Sequence, residues 1–495
     1  MNPLALVHAC RLRSLLLLAW CGIGLGPGPA PLRAAPTPAV RPPNILVCIA
    51  DDWSWPHAGA YGDPVVRTPH FDRIAREGAL FTHAFCASPS CTPSRAALLT
   101  GRMPHRLAEG ANLWGFLPRQ FAVYPDLLEQ AGYVVGHQGK GWGPGNFKAG
   151  GRDRNPAGPP AKSFEEFLKS LPDGRPFCFW FGSTDPHRPY VQGAGAAAGL
   201  RAEAVLVPPW LPDTPEVRRD ILDYYFEVER FDLDVGRLLK LLADAGKLDD
   251  TLVVVTSDNG MPFPRAKTNL HDSGTRLPLA VRWPSGVRPG RPVDALVQHM
   301  DLTATFLEAA GASAPAGLDG RSLLALLAGR GDGKARAEVF LERERHANVR
   351  AGDLGYPVRA VRTRGHLYVR NLQPARWPSG DPEMWKAVGP YGDCDASPSK
   401  DWILQRREQA ATKFHYDLAF ARRSAEELYD LRSDPHQVTN LVERPAQAAV
   451  LKQLRERLDA WMSATQDPRA TNGGAIFEQA PYFGDGRPRS GLHRR

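Results

Sequence analysis

The sequence predicts an α/β sandwich with a mainly parallel central sheet, followed by a smaller C-terminal α+β domain with an antiparallel sheet. Three observations carry this. Continuous apolar runs such as residues 44–50 (NILVCIA) recur, the pattern of parallel strands buried on both faces. Segments with helical periodicity fall between those runs, the order of a sheet covered by helices. Beyond about residue 330 the apolar runs shorten and are joined by turns.

Arg11 and Arg13 precede an apolar run at 15–25, which has the length of a secretory signal core and is short for a bilayer. Residues 1–35 therefore read as a signal peptide, cut near Ala34 or Ala35. The protein is expected to be exported: periplasmic or extracellular, or in a lysosome-like compartment of a eukaryote. No other stretch is long enough to cross a membrane, so no stable membrane insertion is expected after cleavage. A Pro/Ala-rich stretch leads to the strand at 44–50; further buried runs follow at 133–137, 177–182 and 252–256. Residues 143–160 are rich in Gly, Pro and Asn and read as a loop. The longest helix opens at Thr214-Pro215-Glu216, with a cap, Pro in the first turn and an early acid. Ile221, Tyr225, Val228, Val235, Leu239 and Leu242 keep one face apolar, and Gly246 stops it. Shorter strands are expected at 339–341, 356–361 and 366–369, then a helix at 445–463. This gives a large domain at 43–330, a smaller one at 331–465 and an irregular basic tail at 466–495.

At 495 residues the chain exceeds one simple core. Its 43% hydrophobic and 23% charged content is that of a globular protein. The net charge of +8 suits anionic ligands, although Arg487, Arg489, Arg494 and Arg495 in the tail supply part of it. No Lys/Arg block interleaved with aromatics argues for nucleic acid. Of seven cysteines, Cys10 and Cys21 fall in the signal, Cys48 and Cys178 in strand-like runs, and Cys86 and Cys394 have no evident mates. No disulfide framework is expected.

In open α/β sheets, sites form at the carboxyl ends of strands. Asp51-Asp52 and Asp258-Asn259 both follow strands directly, and hard oxygen ligands of this kind suit Ca²⁺ or Mg²⁺ better than zinc. Cys91-Thr92-Pro93-Ser94-Arg95 reads as a helix start, with apolar residues 96–99 behind it. Arg95 lies one turn after Cys91 on the same face, where the helix N-terminus adds positive partial charge. Lys140, in Gln138-Gly139-Lys140-Gly141, follows a strand; Lys267 follows Asp258-Asn259 at loop distance. His187, in Thr184-Asp185-Pro186-His187-Arg188, also follows a strand and could protonate a leaving group. Taken singly, such lysines read as solvated and such a histidine as structural.

Cys91 to Arg95 followed by Leu99-Thr100-Gly101 resembles the maturation signature of the type I, formylglycine-dependent sulfatases, C-x-P-S-R then L-T-G. The resemblance implies an alkaline-phosphatase-like sandwich and oxidation of Cys91 to formylglycine by a maturation enzyme. The hydrated aldehyde would attack sulfur with one hydroxyl and expel sulfate through the other. A divalent cation, Ca²⁺ with Mg²⁺ possible, would be held by Asp51, Asp52, Asp258, Asn259 and the modified Cys91. Arg95, Lys140, His187 and Lys267 would be catalytic, with His187 as the acid. Finer motifs resemble the heparan N-sulfatase branch: Val207-Pro208-Pro209-Trp210 through Pro215, TSDNGMPFP at 256–264 with Lys267-Thr268-Asn269-Leu270, Gly355-Tyr356-Pro357-Val358-Arg359, and Glu427-Leu428-Tyr429-Asp430-Leu431 with Asp434-Pro435-His436 and Asn440-Leu441. The likeness spans residues 43–463. It implies a sulfated glycan as substrate, N-sulfoglucosamine of heparin or heparan sulfate first. An O-sulfatase of another polysaccharide, a phosphomonoesterase or phosphonate hydrolase of the same fold, and a non-catalytic glycan binder remain open, as does oligomerisation. Glu344, Arg345, His346 and Arg359 are expected to reach over the pocket and read the sugar. Two departures stand out. Trp142 occupies the place of a family histidine two residues after the lysine, with His271 a candidate replacement, and Lys267 stands where the N-sulfatase has Arg.

Overall fold

β1 (Asn44–Ala50) packs Leu46, Cys48 and Ala50 into one apolar cluster and Ile45, Val47 and Ile49 into another, so it is covered on both faces. The computed structural model describes residues 42–331, 336–383 and 389–484. The expected signal at 1–35 and tail residues 485–495 lie outside them. In chain order the other strands of this sheet are β2 (Ala79–Phe85), β3 (Val134–Gly139), β4 (Phe177–Gly182), β5 (Thr251–Ser257), β6 (Arg276–Arg282), β7 (Arg291–Val293) and β8 (Val297–Gln298). They lie in the order β3-β4-β1-β5-β6-β2-β7, with β8 also beside β2. β3, β4, β1 and β5 are parallel, and β6 runs against both its neighbours. The sheet is thus mixed and mainly parallel, as expected.

Helices cover both faces. Pro69–Glu77, Phe164–Lys169 and Pro215–Asp244 share one apolar cluster with the sheet. Cys91–Thr100, Tyr124–Gln130 and Asp301–Ala309 share the other. The long helix begins where Thr214 Oγ1 accepts from the Val217 amide at 3.4 Å, and Gly246 follows it with φ +64°.

The C-terminal part carries a separate antiparallel sheet of β9 (Glu338–Arg343), β10 (Val358–Thr363), β11 (His366–Asn371) and β12 (Glu426–Asp430), ordered β12-β11-β10-β9. One face takes the helix Ala448–Ala464 through Leu451, Leu454, Leu458 and Met462. The other buries Leu341, Val358 and Val369 against Phe85 at the end of β2 and Leu270 of a loop. The Glu342 amide donates to the Ala87 carbonyl at 2.9 Å, which sets β9 beside the segment leading to Cys91. The tail differs from its expected irregularity. Short helices at Pro468–Thr471 and Ala475–Glu478 fold back, Phe477 is buried, and Asp467 and Arg469 enter the interior as ion partners. All five cysteines among the described residues are buried and unpaired. Among those residues no helix is long and apolar enough to cross a membrane.

Candidate active site

The ends of β1, β3, β4 and β5 converge on the N-terminus of the Cys91 helix. Asp51 and Asp52 leave β1, and Asp52 holds φ at +78°, a strained value for a residue with a Cβ. Its amide donates to Asp258 Oδ1 at 3.1 Å, and the Trp53 amide to Ser257 Oγ at 2.8 Å, so the β5 end fixes the turn. β3 and β4 end in glycine because their backbones nearly touch. A Cβ on Gly182 would stand 1.8 Å from the Lys140 carbonyl oxygen, and one on Gly139 2.2 Å from that of Gly182. All ten residues of the Cys91 helix are buried. Behind it, Ser94 Oγ lies 2.7 Å from His299 Nε2 and donates to the Asp258 carbonyl, tying the Cys91 helix to β5.

The polar side chains meet closely. Cys91 Sγ lies 3.6 Å from Asp51 Oδ1. Lys140 Nζ donates to both Asp51 oxygens, at 2.7 and 2.6 Å. Arg95 Nε donates to Asp258 Oδ2 at 2.8 Å, and its Nη1 to the carbonyls of Lys140 and Gly141 at 2.8 and 3.0 Å. Lys267 Nζ donates to Asp52 Oδ2 at 2.7 Å. His187 Nε2 lies 3.8 Å from the same oxygen. Its Nδ1 lies 2.6 Å from the Arg188 carbonyl, which holds the proton on Nδ1 and turns Nε2 to the site. Arg188 pairs with Asp220 of the long helix at 2.7 Å and anchors this loop.

Burial pushes the Asp51 carboxyl up, but Lys140, His187, Arg95 and Lys267 outweigh it and hold it well below the carboxylate range. For Asp52 burial wins, helped by Asp51 and Asp258 against Lys267 and His187, and its carboxyl is raised. Burial also raises the Cys91 thiol, so as plain cysteine it is a poor nucleophile. The donor set fits a hard divalent cation. Asp51, Asp52 and Cys91 offer ligand atoms within 4.8 Å of one another. Asn259 Oδ1 is buried beside them with no hydrogen-bond partner, while Nδ2 donates to Asp52 Oδ1 at 2.6 Å.

The site therefore gathers Asp51, Asp52, Cys91, Arg95, Lys140, His187, Asp258, Asn259 and Lys267. The expected sugar readers behave otherwise. Arg359 is fully buried, bonded to Asp467 at 2.6 and 3.0 Å and to Glu344 at 2.7 Å, because the tail returns with carboxylates to meet it. Glu344 also pairs with Arg469, and Arg345 Nη2 donates to the Ala480 carbonyl at 2.7 Å. These three hold the tail and do not face the pocket. His346 alone is adjacent: its Nδ1 lies 2.8 Å from Ser90 Oγ, one residue before Cys91. His271 does not replace the family histidine. Its Nε2 faces Arg265 at 3.2 Å, Glu427 at 3.4 Å and Tyr429 Oη at 3.5 Å, toward β12. Trp142 is buried in the apolar cluster under the sheet, its backbone clamped by Asn155 at 2.9 and 3.0 Å and its Nε1 without a partner. Sequence reasoning placed Ser94 in the C-x-P-S-R signature without giving it a contact, and it missed His299 and Asp395, whose Oδ2 lies 3.2 Å from Lys267 Nζ. Neither His299 nor Asp395 carries a local signal beyond its residue type.

Residues 43–312 match the family model described as Sulfatase, and 266–373 the one described as N-sulphoglucosamine sulphohydrolase, C-terminal. The chain is 33% identical to human N-sulphoglucosamine sulphohydrolase, over 89% of this chain and 93% of that protein. It is 28% identical to an ulvan-active sulfatase of Formosa agariphila, over 87% and 82%. A protein solved with its substrate D-glucosamine-2-N,6-O-disulfate shares the fold at TM-score 0.61 and 19% identity, over 86% of this chain and 98% of that one. So does a phosphonate monoester hydrolase of Agrobacterium radiobacter, at 0.59 and 19%, over 86% and 96%. The fold alone thus spans sulfur and phosphorus chemistry, and the sequence matches separate them: the chain belongs to the sulfatase family.

Proposed function

We propose that this sulfatase is exported and hydrolyses the N-sulfate of glucosamine in heparin or heparan sulfate fragments, with formylglycine made from Cys91 and a bound Ca²⁺. The observation that supports the substrate is the likeness to N-sulphoglucosamine sulphohydrolase, which runs through both the catalytic part and the second sheet. Asp51, Asp52, Asp258 and Asn259 would hold the cation, with position 91 beside them. When bound, the cation neutralises charge on the transferred group and eases ionisation of a hydroxyl at position 91. Formylglycine supplies that hydroxyl as a hydrated aldehyde. Lys140 and Lys267 place ammonium groups against Asp51 and Asp52, where sulfate oxygens can be received. The Cys91 helix N-terminus adds its amides. Arg95 fixes Asp258 and the Lys140 loop. As an imidazolium, with Nδ1–H held by the Arg188 carbonyl, His187 would supply from Nε2 the proton that a departing amine requires.

Protein from a host with the maturation system is expected to show formylglycine at position 91 by peptide mass spectrometry, one calcium per chain by elemental analysis, and sulfate release from N-sulfoglucosamine. Full activity with unmodified cysteine would refute the nucleophile. Stoichiometric zinc, with phosphate monoesters preferred, would transfer the protein to the phosphorus side of the fold. Cleavage of 6-O- or 3-O-sulfated sugars with the N-sulfate untouched would leave a sulfatase with another substrate.

A further inference from the structure

The cluster at the nucleophile ends, on its open side, in a carboxylate. Lys267 Nζ lies 2.7 Å from Asp52 Oδ2 and 3.2 Å from Asp395 Oδ2. Side-chain exposure rises along that line, from 0% at Asp52 through 4% at Lys267 to 28% at Asp395. His187, at 32%, opens to solvent with it. Burial pushes the Asp395 carboxyl up, but Lys267, His187 and His346 outweigh that, and it stays an anion.

Its backbone is stapled on both sides. Before it, buried Asp393 accepts from Arg343 Nη2 at 2.5 Å, Arg350 Nη2 at 2.7 Å and the Ala347 amide at 3.1 Å. After it, Lys400 Nζ donates to the carbonyls of Tyr391 and Cys394 at 3.0 and 2.7 Å. Ser397 caps the next helix through the Lys400 amide at 3.1 Å. Asp395 is thus preorganised, with its Oδ2 buried beside Lys267.

A fixed carboxylate repels a sulfate in a partly desolvated pocket, so it belongs where the substrate presents a donor. The bridging atom of the scissile bond separates the two substrate classes. In R–NH–SO₃⁻ it carries a hydrogen; in R–O–SO₃⁻ it carries none. We infer that Asp395 is a specificity-determining residue that contacts the substrate, accepting a hydrogen bond from the scissile N–H of an N-sulfated amino sugar. This rests on the N-sulfate reading above. As the S–N bond breaks, its electron pair stays on nitrogen, which takes a proton from His187 and leaves as R–NH₂. Sulfur passes to the attacking oxygen, whose proton is lost to solvent. The N–H grows more acidic as the new proton arrives, so its bond to Asp395 strengthens in the transition state. An O-sulfate cannot make this contact and leaves the carboxylate facing an unprotonated oxygen.

The test compares matured parent, Asp395→Ala and Asp395→Asn enzymes in two readouts: sulfate release from N-sulfoglucosamine, and inhibition by inorganic sulfate, which has no N–H. Asp395→Ala is expected to lower kcat/KM at least about tenfold, and Asp395→Asn, which keeps an acceptor oxygen, by less. The inhibition constant for sulfate is expected to stay within about threefold or to tighten, since a repelling charge is removed. Parallel weakening of sulfate inhibition and of turnover would mean that Asp395 only anchors Lys267 and would overturn the assignment, as would unchanged kcat/KM. A parent enzyme that cleaves an O-sulfated sugar and leaves N-sulfoglucosamine intact would overturn the N-sulfate reading and this one together. That failure shows in the parent, whereas failure of Asp395 alone shows only in the variants.

Discussion

Trp142 and His271 both sit as structural side chains, away from the orienting role that their places in the chain suggest. Trp142 fills the position of an orienting histidine, yet it is a core side chain whose indole N–H finds no acceptor. Trp142→His removes most of that apolar volume and leaves an imidazole without partners in its place. It is expected to cost about 2–4 kcal/mol in urea unfolding, near the range of large-to-small core changes, and to lower turnover. A gain in turnover would show instead that a lost histidine had been restored. His271 is a buried link between the Lys267 loop and β12, and burial, with Arg265 and Arg423 adding to it, pulls its imidazole down to about 3 despite Glu427. His271→Ala is therefore expected to cost about 1–3 kcal/mol, through the partners left unsatisfied. Turnover of the folded enzyme should stay within about twofold, because a structural contact lacks the factor of about ten that a lost catalytic contact would bring. Steady-state kinetics beside a denaturation curve separates these outcomes.

At the scale of elements, the site depends on strand ends that approach too closely for side chains. Gly182→Ala would drive its methyl group into the Lys140 carbonyl, which also accepts from Arg95 and Trp180 Nε1. Lys140 would swing from Asp51, and kcat/KM for sulfate release is expected to fall at least about tenfold, as for a misplaced charge-stabilising group. Unaltered kinetics in a folded variant would show that this approach does not position Lys140. The strands β1, β4 and β5 are legible because each is buried on both faces and reads as an apolar run, whereas β3 shows only Val134-Val135 before Gly136, His137 and Gln138. β2 is not, since Thr82 and His83 sit at a bulge where the register shifts between Phe81 and Ala84. β6 carries Pro278, which argues against a central strand, yet its pairing with β5 begins only at Leu279. Asp51, Asp52, Cys91, Asp258 and Asn259 are legible because each lies at a strand end or opens a helix. Asp395 is not, because its approach to Lys267 depends on Asp393 and Lys400 stapling a segment that has no strand of its own.

At the scale of the molecule, one buried charge network joins the first sheet's loops, the second sheet and the tail. His105 Nδ1 lies 2.7 Å from Glu342 on β9; Arg359 on β10 pairs with Glu344 and Asp467; Arg469 returns to Glu344. Glu344 and Arg359 read as sugar contacts in the sequence, and the network itself is not legible there, because its partners come from far along the chain. Removing Arg359 would leave Glu342, Glu344 and Asp467 without their central cation. Arg359→Met is expected to destabilise by about 3–5 kcal/mol, the cost of breaking a buried ion pair. The same network predicts the pH range of stability. Burial raises the Asp467 carboxyl, but Arg359 outweighs this and lowers it below its ordinary 3.8, so its contribution is present above 3.8 and lost as pH falls through the lowered value. Burial lowers the His105 imidazole, but Glu342 outweighs this and raises it above 6.5. Its contribution is complete below 6.5 and lost as pH rises through the raised value. Both are complete together between 3.8 and 6.5, on the acid side of neutrality. Tm measured from pH 5 to pH 9 should therefore decline across the alkaline half in the parent. His105→Gln should lower Tm at acid pH, by the equivalent of about 1–3 kcal/mol for a lost charge-assisted hydrogen bond, and flatten the alkaline decline. If the variant keeps the parent's full alkaline slope, His105 does not carry this charge, and the junction between the two sheets is held by the arginines alone.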